Sequence, residues 1–282
     1  MMNTQQKELI TSEIAKLAKK GSQSKVARKA GVSAATISQI VNHNWKLIRP
    51  ELWQKIQVNL RIDHWKTAET SNFKMLNELL QAVQTRSLSI GISHEAGVGK
   101  SHAYKHYERY HKNVIYVECR KYWSQKSYVK NLLLSCGLDI QGTTEELIEA
   151  FIAHVKTLYK PVIIQDQSDK LKDPPLDLFM DFYNELFGHC AFVLSGVPAF
   201  KKRILKGVQR DKIGFRELWS RINRKFIPLD PTTLNDVRAI CQVNGLYDED
   251  VIHEIYNTCE GDLRRVRQSV EQYFLLHENK AA

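Results

Sequence analysis

The stretch "LSIGISHEAGVGKS", Leu88 to Ser101, decides the fold. Its first part, Leu88–Ser93, is a short apolar run and reads as a strand. Its second part, His94–Ser101, is a glycine loop ending in Lys100 and Ser101, and a helix is expected onward through Tyr110. Strand, glycine loop and helix in that order is the context in which such a loop cradles phosphate. Loop N–H groups point at phosphate oxygens, and the helix N-terminus adds its dipole. Lys100 is expected at the β- and γ-phosphates of ATP, and the Ser101 hydroxyl on Mg²⁺. The nucleotide-binding run is therefore Gly97, Val98, Gly99, Lys100, Ser101 and His102. One position departs from the pattern, because His94 stands where the loop usually begins with Gly.

The second motif is "PVIIQDQSDKL", Pro161 to Leu171. An apolar strand ends in Asp166, a second partner for Mg²⁺. Such sites often carry another acid directly afterwards, yet Gln167 follows here. An amide can orient water through its carbonyl oxygen but is a very poor base, so tight Mg-ATP binding with slow hydrolysis is expected, with Asp169 or Glu118 as partial substitutes.

Between and beyond these motifs the chain alternates. An amphipathic helix from Ser71 precedes the first strand. "NVIYVE" reads as a strand ending at Glu118, with helices expected near 124–135 and 144–158. A helix around Pro175–Phe187 leads to the strand "CAFVLS", which ends in Ser195, a polar group placed to sense the γ-phosphate. "ELWSRINRKFIPL" puts Arg221 and Arg224 on a helix before a last strand. Three helices close the chain: Thr232–Val243, Asp248–Glu260 and Leu263–Leu276, the last opening with "GDLRRVRQ". Alternating apolar strands and helices predict a doubly wound parallel sheet whose ligand lies at the carboxyl ends of the strands.

The N-terminal region differs. Residues 4–19 show helical spacing, and Gly21 ends that helix. Ser22 or Ser24 caps a short helix ending at Gly31, and Ser33 caps another over Ala34–Asn42. This is the spacing of a helix-turn-helix, and it resembles the repressor-like family. Its second helix would offer Ser33, Ala35, Thr36 and Gln39 to the major groove of double-stranded DNA. "WKLIRPELWQKIQVNL" reads as two more helices broken at Pro50.

Charge supports contact with a polyanion. Residues 1–66 hold 12 Lys/Arg against 4 Asp/Glu, and residues 201–225 hold 10 against 2, within a chain of net charge +10. The five cysteines have no CxxC spacing, which argues against a metal site or disulfide framework and fits a reducing bacterial cytoplasm. The N-terminus lacks the apolar core of a signal peptide, and no apolar run reaches the roughly 18 residues of a membrane span. No membrane partner is expected.

Taken together, Ser71 to about Phe274 resembles an AAA+ ATPase core with its helical lid. The predicted fold class is α/β: an AAA+ P-loop parallel sheet with a C-terminal helical lid, preceded by a small all-α helix-turn-helix domain. The expected boundaries are 1–66, 67–229 and 230–282. The resemblance implies that Lys100 and Ser101 are the Walker A pair and Asp166 the Walker B aspartate. It likewise implies that Ser195 is sensor 1 and that Arg221 is a trans-acting arginine finger, with Arg224 as competitor. Arg264 would be sensor 2, with Arg265 as competitor, and Gln167 occupies the place of the catalytic glutamate.

"DKL" after the Walker B acid and "LSGVP" at the sensor strand are similar to the transposon target-selection ATPases of the phage Mu transposition protein B type. That likeness implies ATP-dependent self-association on duplex DNA as a helical filament or ring, and recruitment and stimulation of a DDE transposase. Arg120, Lys121 and Lys126 are the candidates for lining the DNA, with a basic turn at 201–206 as an alternative. A replication-initiator or helicase-loader ATPase and an ATP-switched transcription regulator share these features.

Overall fold

The computed structural model describes residues 2–278. An N-terminal bundle comprises α1 (Thr4–Lys20), α2 (Gln23–Ala30), α3 (Ala34–Val41) and α4 (Pro50–Asn59). Asn3 and Gln6 form a capping box at α1, and Ser22 and Ser33 accept backbone N–H groups at the starts of α2 and α3. Each such cap contributes about 1 kcal/mol. Ile10, Ile14, Ile37, Ile40, Trp53 and Ile56 fill the bundle's own core. The expected helix before Pro50 is a single 3₁₀ turn, Trp45–Leu47. Pro50 occupies the first turn of α4 and forces Arg49 into extended backbone, which leaves no room for a longer helix.

The second unit begins at α5 (Ser71–Arg86) and alternates strand with helix: β1 (Ser89–Ser93), α6 (Lys100–Tyr110), β2 (Val114–Glu118), α7 (Gln125–Cys136), α8 (Thr144–Lys156), β3 (Val162–Asp166), α9 (Asp173–Glu185), β4 (Ala191–Gly196), α10 (Pro198–Gln209), α11 (Phe215–Arg221) and β5 (Phe226–Ile227). The five strands are parallel in the order β2-β3-β4-β1-β5. Side chains alternate across the sheet, so each face packs a separate core. Ile163, Phe192 and Leu194 meet α7–α11 on one face, while Val162, Ile164, Ala191 and Val193 meet α5 and α6 on the other. Each fully buried large aliphatic or aromatic side chain contributes about 1.5–3 kcal/mol.

Two expectations on this unit are corrected. The basic 201–206 stretch is no turn but the middle of α10, which Pro198 starts. Arg224 does not lie on the helix with Arg221. That helix ends at Arg221, and Arg224 sits in a left-handed turn with φ 51° that returns the chain to β5.

Three helices follow: α12 (Leu234–Val243), α13 (Glu249–Cys259) and α14 (Leu263–Glu278). They share a small core of Val237, Cys241, Ile252, Val266 and Val270. The segment before α5 is stitched to them. The Lys66 N–H donates to Asn244 (2.9 Å) and the Ser71 N–H to Asp236 (2.6 Å), and Trp65 and Ala68 pack on the same core. All five cysteines are buried and free. Among the described residues no helix is long and apolar enough to cross a membrane.

Candidate nucleotide-binding site

β1 lies inside the sheet between β4 and β5, and its carboxyl end launches the glycine loop into α6. Gly97 and Gly99 both adopt φ 91°, a conformation that suits glycine. At Gly97 space matters as well, because an added Cβ would lie 2.9 Å from the Asp262 Cα and closer still to its carboxylate. The missing first glycine has a simple explanation. His94 serves through its backbone: its N–H donates to the Gly196 carbonyl (3.3 Å), and its carbonyl accepts from Lys100 (2.7 Å). Lys100 also donates to the Glu95 carbonyl at 2.6 Å. Burial pushes the Lys100 ammonium below its ordinary range, against the pull of Asp166, Glu95 and Asp169. A bound polyphosphate would relieve that burial cost by supplying negative charge.

Asp166 closes β3 at 1% exposure. It accepts from the Ser101 hydroxyl (2.5 Å), the Tyr116 hydroxyl (3.1 Å) and the Gln167 N–H (2.9 Å). Burial pushes the Asp166 carboxyl up from its ordinary range, and these hydrogen bonds work against that to keep it ionised. Ser101 and Asp166 therefore present two hard oxygens side by side, a donor set suited to Mg²⁺ alongside phosphates and water.

These groups line one cleft of about 550 Å³, a volume typical of small-molecule sites. Its polar end holds Gly97, Gly99, Lys100, Ser101, Asp166 and Gln167, and its apolar end holds Trp65, Ala68, Phe73, Ile240 and Leu263. The lid is seated directly on the glycine loop, where the Leu263 N–H donates to the Gly97 carbonyl at 3.0 Å. Arg264 reaches the cleft while paired with Asp262 at 2.7 Å. Arg265 pairs with Glu260 and lies outside the cleft lining. His102 also lines the cleft and contacts the Thr67 hydroxyl at 3.0 Å, and Val98 is buried beneath the loop.

Gln167 has left-handed backbone, φ 57° and ψ 41°, an uncommon state for a residue with a side chain and one found at functional turns. Both ends of its amide are held. The nitrogen donates to Glu118 (3.2 Å), and the oxygen accepts from Lys170. Glu118 lies beside Asp166 across the ladder and pairs with Lys105 (3.0 Å), Arg61 (3.1 Å) and Arg120 (3.3 Å). Burial pushes its carboxyl up, but the three cations outweigh that and hold it at about 2.

Some candidate residues lie elsewhere. Ser195 is on the same sheet face as Asp166, yet it is fully buried and bonded to the Tyr104 hydroxyl at 3.0 Å. It does not line the cleft; Gly196, Val197 and Asp169 do. The physical reason is Tyr104, one turn into α6, whose ring covers that part of the strand. Arg221 is also remote from this chain's cleft. Its guanidinium lies over the Tyr183 ring (4.9 Å) and contacts Asn184 (3.4 Å).

On α3, Ser33 and Ala35 are exposed and Thr36 and Gln39 are half-buried, while the Ser33 hydroxyl caps the helix at the Thr36 N–H. Lys121 and Lys126 are exposed beside Arg120. Sequence reasoning missed Trp65, Arg267 and Tyr116. Trp65, from the segment joining the two units, and Arg267, from α14, stack at 5.0 Å at the cleft's edge. No spacing signal marked them.

Comparison with known proteins agrees with this geometry. Residues 85–204 match the family model for the AAA domain. Over 267 residues the chain is 24% identical to the Mu-like prophage FluMu DNA transposition protein B of Haemophilus influenzae, covering 88% of this chain and 89% of that protein. Among solved structures, it superposes on a chain from the structure of Drosophila ORC bound to DNA with a TM-score of 0.51 and 12% identity. That match covers 74% of this chain and 56% of the ORC chain, so the present chain spans little more than half of that one. The fold is the AAA+ P-loop type, and the chain is similar over most of its length to a Mu-type transposition protein B.

Proposed function

We propose that this chain is an ATP-dependent DNA-binding ATPase that assembles on duplex DNA with little sequence preference, selects target DNA for transposition, and recruits and stimulates a DDE transposase. The observation carrying this reading is the match to a DNA transposition protein B along 88% of the chain, with the phosphate loop and Asp166 meeting in one cleft. The ORC likeness speaks for the fold alone and gives no support to an initiator reading.

In this reading Lys100 and the loop N–H groups bind the phosphates of ATP, and Ser101 and Asp166 hold Mg²⁺. Bound by those two oxygens, Mg²⁺ would supply neutralisation of the phosphate charge. Arg264 approaches the nucleotide from the lid. Gln167 orients the attacking water once its amide is released from Glu118 and Lys170, and turnover is slow because an amide takes no proton. Arg221 leaves the Tyr183 ring to reach the nucleotide of a neighbouring protomer, which makes assembly depend on ATP. Arg120, Lys121 and Lys126 face the DNA backbone, and Ser33, Ala35, Thr36 and Gln39 of a helix-turn-helix unit over residues 1–66 enter a groove. Residues 67–229 form the ATPase core and 230–282 the lid.

Electron microscopy of the protein with ATP and random-sequence duplex tests this directly. Filaments or rings with ATP and none without nucleotide are expected. A protein that binds one defined palindrome as an isolated dimer, with or without ATP, sinks the reading.

A further inference from the structure

A second concavity, larger than the nucleotide cleft, lies between the N-terminal bundle and the ATPase core. It measures about 1310 Å³, and its walls come from α1, α2 and the end of α4 on one side and from α6, β2 and α7 on the other. Twelve of its lining side chains are Lys or Arg and four are Asp or Glu.

The four acids are already partnered. Glu13 pairs with Lys16 and Arg109, Asp63 with Arg267, Glu108 with Lys29, and Glu118 with three cations. Six lining cations thus have no carboxylate among the described residues: Lys20, Lys25, Arg28, Lys66, Lys112 and Lys130. Lys20 and Arg28 reach only the backbone carbonyls of Glu108 and Gly137. Burial pushes Lys20 down to about 8 and lowers Lys25 too, a cost that a bound anion would relieve.

At the mouth of the crevice the loop after β2 presents an aromatic among these charges. Tyr122 is 80% exposed, between Lys121 and the buried Trp123. The loop is anchored at both ends. The Cys119 N–H donates to the Asp166 carbonyl (2.9 Å), and the Trp123 N–H to the Arg120 carbonyl (3.1 Å). A concave wall with surplus positive charge focuses field outward and attracts a chain of negative charges. Clustered cations suit a sugar-phosphate backbone, and an exposed tyrosine hydroxyl among them can donate to a phosphate oxygen.

We propose that this crevice is a phosphodiester-backbone site, occupied by the backbone of duplex DNA and distinct from the α3 surface. The proposal rests on the DNA-binding reading above and adds the place where the two units together contact one backbone of the duplex. The duplex is favoured because the surplus cations lie on both sides of the seam where α2 packs on α7, Lys25 against Gly137 on the bundle side and Lys130 on the core side, so one backbone of a stiff duplex lying along that seam meets cations from both units.

The test replaces Lys25, Lys112 and Lys130 with Ala in the full chain. Binding to a random-sequence duplex is followed with ATP over a range of salt, beside a control with Lys74, Lys156 and Lys160 replaced. Each lost phosphate contact lowers the slope of log affinity against log salt by about 0.9. The crevice variant should therefore show a slope shallower by two to three and an affinity weaker by roughly 10²-fold at 0.1 M salt. The control should match wild type, and binding of a fluorescent ATP analogue should be equal in all three proteins. An unchanged slope in the crevice variant overturns the site, as does an equal loss in the control. Tighter binding of a single strand than of the duplex overturns the choice of occupant. A wild-type protein that binds no duplex at any salt instead sinks the DNA-binding reading itself.

Discussion

The side-chain amide of Gln167 donates to the carboxylate of Glu118 across 3.2 Å, so the amide that directly follows Asp166 is bonded to an acid at the end of the neighbouring strand. The pair sets the first prediction. Gln167→Glu alone restores a base at the cleft but puts a second carboxylate against Glu118, and like charges at that distance repel. Combining Gln167→Glu with Glu118→Gln keeps one acid and one amide with their places exchanged. Steady-state ATP turnover with DNA should rise in the single variant and rise further in the double, towards the roughly 10²–10⁴-fold typical of general-base assistance. Equal turnover in wild type and double variant means the water is activated from elsewhere.

Arg221 supplies the second prediction. Its guanidinium lies on Tyr183 and outside its own cleft, so Arg221→Ala should leave ATP binding by a monomer nearly intact. Nucleotide-dependent assembly on DNA, read by sedimentation or microscopy, should disappear. Full-length assemblies from this variant transfer attention to Arg224, which is exposed three residues on.

Removing residues 1–66 tests the division of DNA contacts. The ATPase core keeps Lys121, Lys126 and the α7 wall of the crevice, so binding should weaken without vanishing, with a shallower salt slope. Complete loss of ATP-dependent DNA binding by a truncated chain of normal circular dichroism contradicts a DNA surface on the core.

Glu118 also predicts a pH dependence. Its folded value, about 2, lies below its ordinary 4.5 because Lys105, Arg61 and Arg120 outweigh the cost of burial. A group depressed in the folded state stabilises fully above its unfolded value, and that contribution is lost as pH falls through the folded one. Urea denaturation should therefore find Glu118→Gln less stable than wild type at pH 6, with the gap closing between about pH 4.5 and pH 2. A gap that persists unchanged at pH 2 assigns the effect to packing rather than charge.

Much of the molecule was legible in one dimension. Strands, helices and the phosphate loop follow from local periodicity, caps and glycines, which act within a few residues. Leu88–Ser101 specified strand, loop and helix, and the chain folds there as read. Ser22, Gly31 and Ser33 marked the ends of α2 and α3 for the same reason. What lies far apart in sequence was decided by packing alone. Tyr104 covers Ser195, Glu118 holds Gln167, and Trp65 meets Arg267 at the cleft's edge because strand order and the lid bring them together. The same holds for charge. Composition counted the cations of residues 1–66, but only the docked tertiary structure separated those paired with Glu108 and Glu118 from those that line the crevice without a carboxylate. Local propensity fixes an element, whereas the partner of a charged or polar side chain depends on which distant element it is folded against.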